Sequence, residues 1–493
     1  MNSNLMLILP ILIPIICGGS MAFINFDDER KRNIYVFYIV LITSFFAFAV
    51  NFWGPDEGIT FVGFGSKMAI AFKVDGLGRL FSSMVAILWP LATVYAFEYM
   101  EHEGNEKRFY AFYTVTYGVT LAISYAANFL TMYLFYEMLT LVTLPLVIHS
   151  MNQQAFAAGR KYIAYSIGGA TAVFICLVFI ASFGETLDFH LGGVFAADIM
   201  ADHGGLLLQV FTLGFIGLSV KAAMFPFHGW LPSATVAPTT VTALLHAVAV
   251  VKAGAFATMR LTYYIFGTEL LWGTWAQQAV MALTLVTILY GSARAWYTSH
   301  FKRRLAYSTV SQLSYILFGV TLMTPEGMAA AMIYMVAHGF IKILLFYCCG
   351  AVNIMAHRYD VRELEGLGRY MPVTFAAFTI GALSLMGLPP TAGFVAKLQL
   401  LTALAQGGGA LALGGIAVFI LSMLLTAAYL FDVIRAAYFP KTAEPFLEGE
   451  FIPKDPGASM AIPLKVLAFM TILIGVASRP LLEWITLVSQ GLR

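Results

Sequence analysis

Long apolar segments recur along the whole chain, and short polar stretches separate them. A membrane-spanning helix needs roughly 20 mostly apolar residues, and fourteen segments of about this length stand out. This pattern predicts an all-α polytopic membrane protein with about fourteen transmembrane helices. The predicted spans are 3–24, 34–53, 76–100, 109–127, 128–149, 161–183, 206–226, 239–264, 276–297, 305–323, 327–355, 371–406, 409–438 and 461–481.

Two of the predicted spans contain helix-breaking residues. The seventh ends at Phe225-Pro226 and re-enters apolar sequence near Trp230, and the twelfth is overlong and interrupted from Gly387 to Pro390. Proline frees backbone carbonyls, which are tolerated at membrane depth only inside protein or beside water. We therefore predict that helices 7 and 12 are broken.

The two breaks occupy matching places in two groups of five spans. Span 7 is the fourth of spans 4–8, and span 12 is the fourth of spans 9–13. Because five is odd, the second group runs through the membrane in the opposite sense, and inverted repeats with matching broken helices indicate a transport path. The predicted parts are three N-terminal spans (1–108), a first five-helix repeat (109–264), an inverted second repeat (276–438), and an amphipathic loop with the final span (439–493).

Basic residues predict the orientation, because cytoplasmic loops are enriched in lysine and arginine. The loops after even-numbered spans carry few, with Lys67 and Lys73 the clear cases. Odd-numbered loops are therefore predicted to be cytoplasmic, and both termini are predicted on the outer side of the cell membrane. Residues 1–4 contain no lysine or arginine, so we expect a retained first helix rather than a signal peptide. The basic residues of the odd-numbered loops are Arg30, Lys31, Arg32, Lys107, Arg108, Arg160, Lys161, Lys302, Arg303, Arg304, Arg358, Arg362, Arg369, Lys441 and Lys454.

Ionisable side chains also fall inside the apolar segments. A charge at mid-bilayer costs about 2.5–3.5 kcal/mol on the lenient insertion scale, so such residues mark ion pathways by default. We predict that they move charge across the membrane. The candidate site residues are Glu137, Lys221, His246, Lys252, His338, Lys342 and Lys397.

Composition narrows the class further. The 493 residues are 60% hydrophobic and 11% charged, whereas soluble domains are about 25% charged. The net charge of +2 is too small to suggest a nucleic-acid partner. The four cysteines lack metal-ligand spacing and are predicted core residues. Since no haem, flavin or nucleotide motif is present, we expect neither a cofactor nor a metal.

Five sequence motifs identify a family resemblance. They are Val220–Pro232, with Lys221 and the first break; Tyr136-Glu137-Met138; Lys302–Gln312; Ala337–Lys342; and Gly387–Lys397. Together they resemble the antiporter-like subunits of respiratory complex I, of Mrp-type cation/proton antiporters (the D-type subunit) and of membrane-bound hydrogenases. The resemblance implies fourteen helices with two inverted five-helix repeats.

The resemblance also implies a proton-translocating membrane subunit of a multi-subunit complex. Homologous membrane subunits, the lipid bilayer and H⁺ are the expected partners, and Na⁺/H⁺ antiport stays open. The subunit has no catalytic site of its own, and whether it belongs to a redox-driven pump stays open, as does which complex it serves. The alternative is a membrane scaffold that anchors redox partners and transports nothing.

Charge physics assigns roles to the candidate residues. If Glu137 approaches Lys221, the ammonium holds its proton, and if it moves away the proton leaves; the alternative is a static ion pair. Lys252 follows His246 by six residues, so the two do not share a helix face, but they can serve successive positions along a path. For His246 the alternative is a core histidine.

Three further sets complete the assignment. His338 and Lys342 are four residues apart and face one direction, and Lys397 is the last basic group of the series. Arg260, Arg294 and Arg435 are predicted membrane-edge anchors, with Asp432 in a local pair with Arg435. The stretch Glu98–Glu106 is predicted to be a solvated loop.

Overall fold

The computed structural model describes residues 3–55, 57–65, 67–407, 410–440 and 452–492. These residues form a bundle of α-helices with one small hairpin. The helices are α1 (Ser3–Ser20), α2 (Glu29–Trp53), α3 (Gly76–Glu101), α4 (Glu106–Ser124), α5 (Phe129–Val147), α6 (Gln153–Phe183), α7 (Ala197–Ser219), α8 (Trp230–Ser233), α9 (Thr239–Ala243), α10 (Val250–Met259), α11 (Thr268–Leu271), α12 (Trp275–Tyr297), α13 (Phe301–Thr321), α14 (Pro325–Met355), α15 (Leu367–Tyr370), α16 (Pro372–Met386), α17 (Ala392–Gly407), α18 (Ala410–Tyr438), α19 (Ala458–Val476) and α20 (Ser478–Ser489).

A helix lies at each of the fourteen predicted spans. Among the described residues, ten helices are long and apolar enough to cross a membrane, and two shorter apolar helices, Leu5–Ser20 and Pro372–Met386, accompany them. The prediction of a mostly helical, multi-pass membrane protein is confirmed. The ten are Glu29–Trp53, Gly76–Glu101, Phe129–Val147, Gln153–Phe183, Ala197–Ser219, Thr239–Phe266, Trp275–Tyr297, Pro325–Met355, Leu411–Tyr438 and Ala458–Val476.

Burial shows which helices lie at the centre. The stretch Thr239–Phe266 and helix α14 are buried almost along their whole lengths, so both are enclosed by other helices. By contrast, large apolar side chains such as Phe174 on α6 and Leu424 on α18 are exposed at the periphery. Apolar surface exposed to this extent fits contact with lipid or with another membrane protein.

One hairpin departs from the predicted all-α class. Strands β1 (Ile59–Phe64) and β2 (Met68–Phe72) pair antiparallel between α2 and α3. The sequence ITFVGF is rich in β-branched and aromatic residues and is shorter than a span, so a pleated pair suits it better than a helix. Asn128, which caps α5, donates to the Ala69 carbonyl at 2.9 Å and fixes the hairpin to the bundle.

The first predicted break begins earlier than expected. Helix α7 ends at Ser219, six residues before the predicted end at Phe225, and the chain turns until a 3₁₀ stretch begins at Phe227. Trp230 donates its indole N–H to the Val220 carbonyl at 2.8 Å, which gives this freed carbonyl a partner. As a result, Lys221 lies within the break rather than one turn before it.

The second break lies where it was predicted. Helix α16 ends at Met386, and Gly387 follows in the left-handed region with φ +92°, where glycine is favoured. Helix α17 then begins at Ala392, and Lys397 lies in its second turn. At Gly393 an added Cβ would lie 1.8 Å from the Ser384 carbonyl oxygen, so this close approach requires glycine.

The acidic stretch Glu98–Glu106 is a solvated loop only in its middle, where residues 102–105 form an exposed turn between α3 and α4, and its two ends lie in helices. Glu98 lies within α3 and accepts hydrogen bonds from the backbone N–H groups of Gly457 (2.5 Å) and Met460 (3.2 Å), at the start of α19. Glu106 is buried at the start of α4 and pairs with Arg32 of α2. These carboxylates therefore join helices that are distant in the sequence.

The C-terminal part holds a helix that was not predicted. After α19, which occupies the fourteenth predicted span, helix α20 follows almost directly. Residues 441–451, which include Lys441 and most of the predicted amphipathic loop, lie outside the described residues.

Candidate functional site

The predicted pair of the first half is present. Glu137 lies midway along α5, and the Nζ of Lys221 lies 3.5 Å from its Oε1. Lys221 also donates a hydrogen bond to the Tyr136 carbonyl, and its Nζ lies 3.4 Å from the centre of the Tyr136 ring. The lysine side chain is 1% exposed, whereas that of Glu137 is 26% exposed. The carboxylate therefore lies at the rim of the bundle and the ammonium inside it.

The break explains how Lys221 reaches α5. Because the helix ends at Ser219, the Lys221 side chain leaves from a turn rather than from a regular helix face. The Tyr136 hydroxyl donates to the Leu218 carbonyl at 2.9 Å and holds the end of α7 against α5. Tyr136 thus contributes its carbonyl, its ring and its hydroxyl to this junction.

A second cluster lies in the centre of the bundle, where α10 meets α14. The Nζ of Lys252 lies 2.6 Å from Nδ1 of His338, and both side chains are fully buried. Lys342 lies one turn further along α14, as the four-residue spacing predicted, and is also fully buried. It donates hydrogen bonds to the Ser308 hydroxyl and to the Leu305 carbonyl, the latter at 3.1 Å.

His246 belongs to the same region but makes looser contacts. It lies in a π-helical stretch, Leu244–Val248, and its ring packs 4.8 Å from that of Phe346. Neither ring nitrogen forms a hydrogen bond with a described residue. His246 is therefore buried beside α14 without a hydrogen bond that fixes its ring.

Lys397 occupies the end of the broken helix α16. Its Nζ donates to the carbonyls of Leu385 (2.8 Å) and Met386 (3.1 Å). The last carbonyls of a helix have no partner further along it and carry partial negative charge, so the break itself supplies acceptors for the ammonium. The Nζ also lies 5.8 Å from the centre of the Tyr315 ring.

The structure brings some candidates into contact and leaves others apart. Glu137 contacts Lys221, and Lys252 contacts His338. Within the described part of the chain, no carboxylate pairs with Lys252, Lys342 or Lys397. The acceptors missed by sequence reasoning are Ser308 and the backbone carbonyls. The sequence could have indicated Ser308, since this residue falls inside the Lys302–Gln312 motif. It cannot indicate which backbone carbonyls accept a hydrogen bond from a lysine.

The prediction for Arg260 was wrong. This side chain is fully buried, donates two hydrogen bonds to Asp75 and packs against the rings of Phe189 and Tyr264. The helix of span 8 does not end near Arg260 but continues as a π-helical stretch to residue 266, so its end is covered by the bundle. Arg260 therefore contributes an internal ion pair rather than a membrane-edge anchor.

Arg294 and Arg435 are exposed, and their role as membrane-edge anchors stays a prediction. Arg435 lies 3.3 Å from Asp432, as the three-residue spacing predicted. Asp432 also pairs with Arg304 at 2.9 Å, which was not predicted. Arg304, counted as a loop residue, is buried in the first turn of α13, as are Lys302 there and Arg32 on α2. These three cations therefore lie in helices rather than in open loops.

The described residues contain no group of three or more histidine, cysteine, aspartate or glutamate side chains that could hold a metal ion. All four cysteines are free, and Cys176, Cys348 and Cys349 are buried.

Comparison with known proteins tests the family resemblance. A family described as "NADH:quinone oxidoreductase/Mrp antiporter, TM" matches residues 126–428, and one described as "NADH-Ubiquinone oxidoreductase (complex I), chain 5 N-terminus" matches residues 61–110. The first match includes every candidate site residue, from Glu137 to Lys397.

Individual relatives agree with this match. NADH-quinone oxidoreductase subunit N of Desulforudis audaxviator is 30% identical over 88% of this chain and 85% of its own length. A Na(+)/H(+) antiporter subunit of Alkalihalophilus pseudofirmus is 30% identical over 71% of this chain and 44% of its own length. Several relatives are longer proteins, of which this chain spans 33% to 63%.

The fold agrees as well. A chain in the structure of the Mrp complex from Dietzia sp. superposes with a TM-score of 0.87 at 22% identity, over 100% of this chain and 98% of that one. Sequence matches and fold together confirm the predicted family: this multi-pass membrane chain belongs to the NADH:quinone oxidoreductase/Mrp antiporter family.

Proposed function

We propose that this chain is a proton-translocating membrane subunit of a multi-subunit complex. The observation that carries the proposal is the central contact between Lys252 and His338, at 2.6 Å and fully buried. Two groups that both bind protons face each other where no carboxylate of the described residues compensates a second positive charge. Because two adjacent positive charges would repel each other there, only one of the two groups is protonated at a time. The pair is therefore suited to transferring a proton.

The proposed path uses all the candidate residues in order. Lys221 holds a proton while Glu137 lies beside it and releases it when the carboxylate moves away. The proton then passes through the central cluster of His246, Lys252, His338 and Lys342 and reaches Lys397. Water bridges the gaps between groups that are not in direct contact.

The finer architecture is part of the proposal. We infer fourteen transmembrane helices, with an N-terminal part (1–108), two inverted five-helix repeats (109–264 and 276–438) and a C-terminal part (439–493). The breaks after α7 and after α16 support the repeats, since each interrupts the fourth span of its group and each holds or adjoins a buried lysine. The basic loops after odd-numbered spans support an outer location for both termini.

The relatives suggest the setting. One is named a Na(+)/H(+) antiporter subunit, another an NADH-quinone oxidoreductase subunit, and a structural neighbour belongs to an Mrp complex. We infer that this chain works in the cell membrane beside other membrane subunits and that H⁺ is its substrate, with Na⁺ the candidate counter-ion. A scaffold that transports nothing would not need the buried ionisable side chains that this chain keeps.

The test is to replace Lys252 by methionine, which keeps the length of the side chain and removes the ammonium. Proton transport is measured with a pH-sensitive dye in everted membrane vesicles that contain the complete complex. We expect Lys252→Met to reduce transport by about a hundredfold, the order of the contribution of a positioned proton carrier. The matched control is Lys161→Met, since Lys161 is exposed and bonds only to Ser233 among the described residues. Normal transport by assembled Lys252→Met complex would favour the scaffold.

A further inference from the structure

A row of buried hydroxyl groups lies where α13 packs near α18. On α13 the hydroxyls recur at intervals of three and four residues, and on α18 at intervals of four and three, so each set lies on one helix face. All are fully buried. We call this set the hydroxyl seam: Ser308, Ser311, Tyr315, Ser422, Thr426 and Tyr429.

Five of the six hydroxyls fall into two contacting groups. The Tyr315 hydroxyl lies 2.6 Å from Oγ of Ser422, which lies 3.3 Å from Oγ of Ser311. The Tyr429 hydroxyl lies 3.4 Å from Oγ1 of Thr426. The sixth hydroxyl, that of Ser308, lies on the same face of α13 as Ser311 and donates to the Leu305 carbonyl at 2.8 Å.

Each end of the seam meets a candidate lysine. Lys342 donates to the Ser308 hydroxyl at one end. At the other end, the Nζ of Lys397 lies over the Tyr315 ring. Ser308 and Tyr315 are seven residues apart, which is about 10 Å along a helix. The seam therefore spans the distance between two lysines that share no direct contact.

The arrangement at the centre of the seam differs from ordinary helix packing. A buried hydroxyl in a helix commonly satisfies itself on the carbonyl four residues earlier, as Thr309 does with Leu305 at 3.0 Å. Ser422 instead lies within hydrogen-bond distance of three other hydroxyls, those of Tyr315, Ser311 and Ser292, the last at 2.5 Å. Since a hydroxyl both donates and accepts, such a set can exchange the direction of its hydrogen bonds.

We propose that the hydroxyl seam conducts protons between Lys342 and Lys397, which deepens the proposed function and rests on it. The Lys342 ammonium gives its proton to the Ser308 oxygen while Ser308 turns from the Leu305 carbonyl and passes its own proton through a bridging water to the next oxygen of the seam. Each O–H bond that breaks is replaced by one that forms, and the last proton goes to the neutral amine of Lys397. The net result is one proton moved, with every hydroxyl restored.

Three gaps in the seam need a bridging water. The first separates the Ser308 hydroxyl, which donates to the Leu305 carbonyl at 2.8 Å, from the other hydroxyls. At the second, the hydroxyls of Ser422 and Thr426 are one turn apart on α18, and Thr426 donates to the Ser422 carbonyl rather than to its hydroxyl. The third gap separates the Tyr315 hydroxyl from the Lys397 ammonium. A single water that bridges two polar groups is nearly as favourable as a direct hydrogen bond, so all three gaps fit the proposed transfer.

The test removes one hydroxyl and keeps the ring. Tyr315→Phe should lower the initial rate of proton transport per assembled complex by about tenfold or more, and Ser422→Ala should do the same. Ser422→Thr keeps a hydroxyl and should retain most of the rate. The matched control is Tyr334→Phe, because the Tyr334 ring packs 5.5 Å from that of Tyr315 but its hydroxyl bonds to Gln312, outside the seam.

The measurement uses everted vesicles with the complete complex, and blue-native gels quantify the assembled complex. If Tyr315→Phe and Ser422→Ala transport at the normal rate per complex while Lys342→Met does not, the seam is refuted and the proposed function stands. If the variants only lower the amount of complex, the seam is helix-packing contact and the proposal is again overturned. If Lys342→Met also transports normally, the proposed function itself fails.

Discussion

Lys221 of the first half and the two buried lysines of the second half, Lys342 and Lys397, are held in different ways. Lys221 has a carboxyl partner, since Oε1 of Glu137 lies 3.5 Å from its Nζ. In the second half, the described partners of Lys342 and Lys397 are neutral, namely the Ser308 hydroxyl and backbone carbonyls. Lys221 therefore faces an acidic side chain at the rim of the bundle, whereas the other two lysines face neutral groups.

The size of the difference follows from the interactions. A charge pair at 3.5 Å is worth about 5 kcal/mol at an effective dielectric constant of ~20. A hydrogen bond from a charged donor to a neutral acceptor contributes about 1.5–3 kcal/mol. In the proposed mechanism, a movement of Glu137 therefore changes the proton affinity of Lys221 by several kcal/mol. The neutral partners of Lys342 and Lys397 produce no comparable change, which fits the onward conduction proposed for the second half.

The largest expected effect comes from Lys221 itself. Lys221→Ala should abolish proton transport in the complete complex while assembly persists. Lys221→Arg should fail as well, because a guanidinium keeps its charge but does not release its proton in proteins. Transport is measured in everted vesicles, with assembly checked on blue-native gels. Near-normal transport by the arginine variant would show that the charge of the residue matters and its proton does not.

The next effect concerns the control exerted by Glu137. Glu137→Gln removes the charge with little change in shape, so the Lys221 ammonium loses its partner and releases its proton at lower pH. We expect the pH of half-maximal transport to fall by about one unit or more. Glu326→Gln, which changes an exposed glutamate at the start of α14, serves as the control. An unchanged pH profile in Glu137→Gln would show that Glu137 does not control the protonation of Lys221, and Lys221 would then not differ in this respect from Lys342 and Lys397.

Much of this contrast could be predicted from the sequence, because charges in apolar segments and proline breaks are visible in it. The pairing of Glu137 with Lys221 and the shared face of His338 and Lys342 were predicted on those grounds. The site of the first break was misplaced because the sequence marks Pro226, whereas the helix ends where the Trp230 indole meets the Val220 carbonyl. That contact is set by tertiary packing and leaves no local pattern.

The features that were missed share a physical cause. Arg260 reads as a helix-end residue, and only the folded chain brings Asp75, 185 positions away, against it. The hydroxyls of α13 and α18 read as ordinary serines, threonines and tyrosines until the two helices face each other. The β1–β2 hairpin is shorter than a membrane span, so a pattern of long apolar segments does not predict it. Each of these depends on contacts between distant parts of the chain.

The smallest expected effect is on thermal stability rather than on transport, and it distinguishes Lys397 from Lys221. Lys397 satisfies the carbonyls of Leu385 and Met386 in the last turn of α16, where helix carbonyls lack other partners. Its replacement by methionine leaves these buried acceptors unpaired, at a cost of about 1–3 kcal/mol. The Tyr136 carbonyl that Lys221 contacts lies within α5 and keeps its helical partner. Thermal unfolding of the detergent-solubilised complex should therefore show a lower midpoint for Lys397→Met than for Lys221→Met, and equal midpoints would mean that the second lysine is held no more firmly than the first.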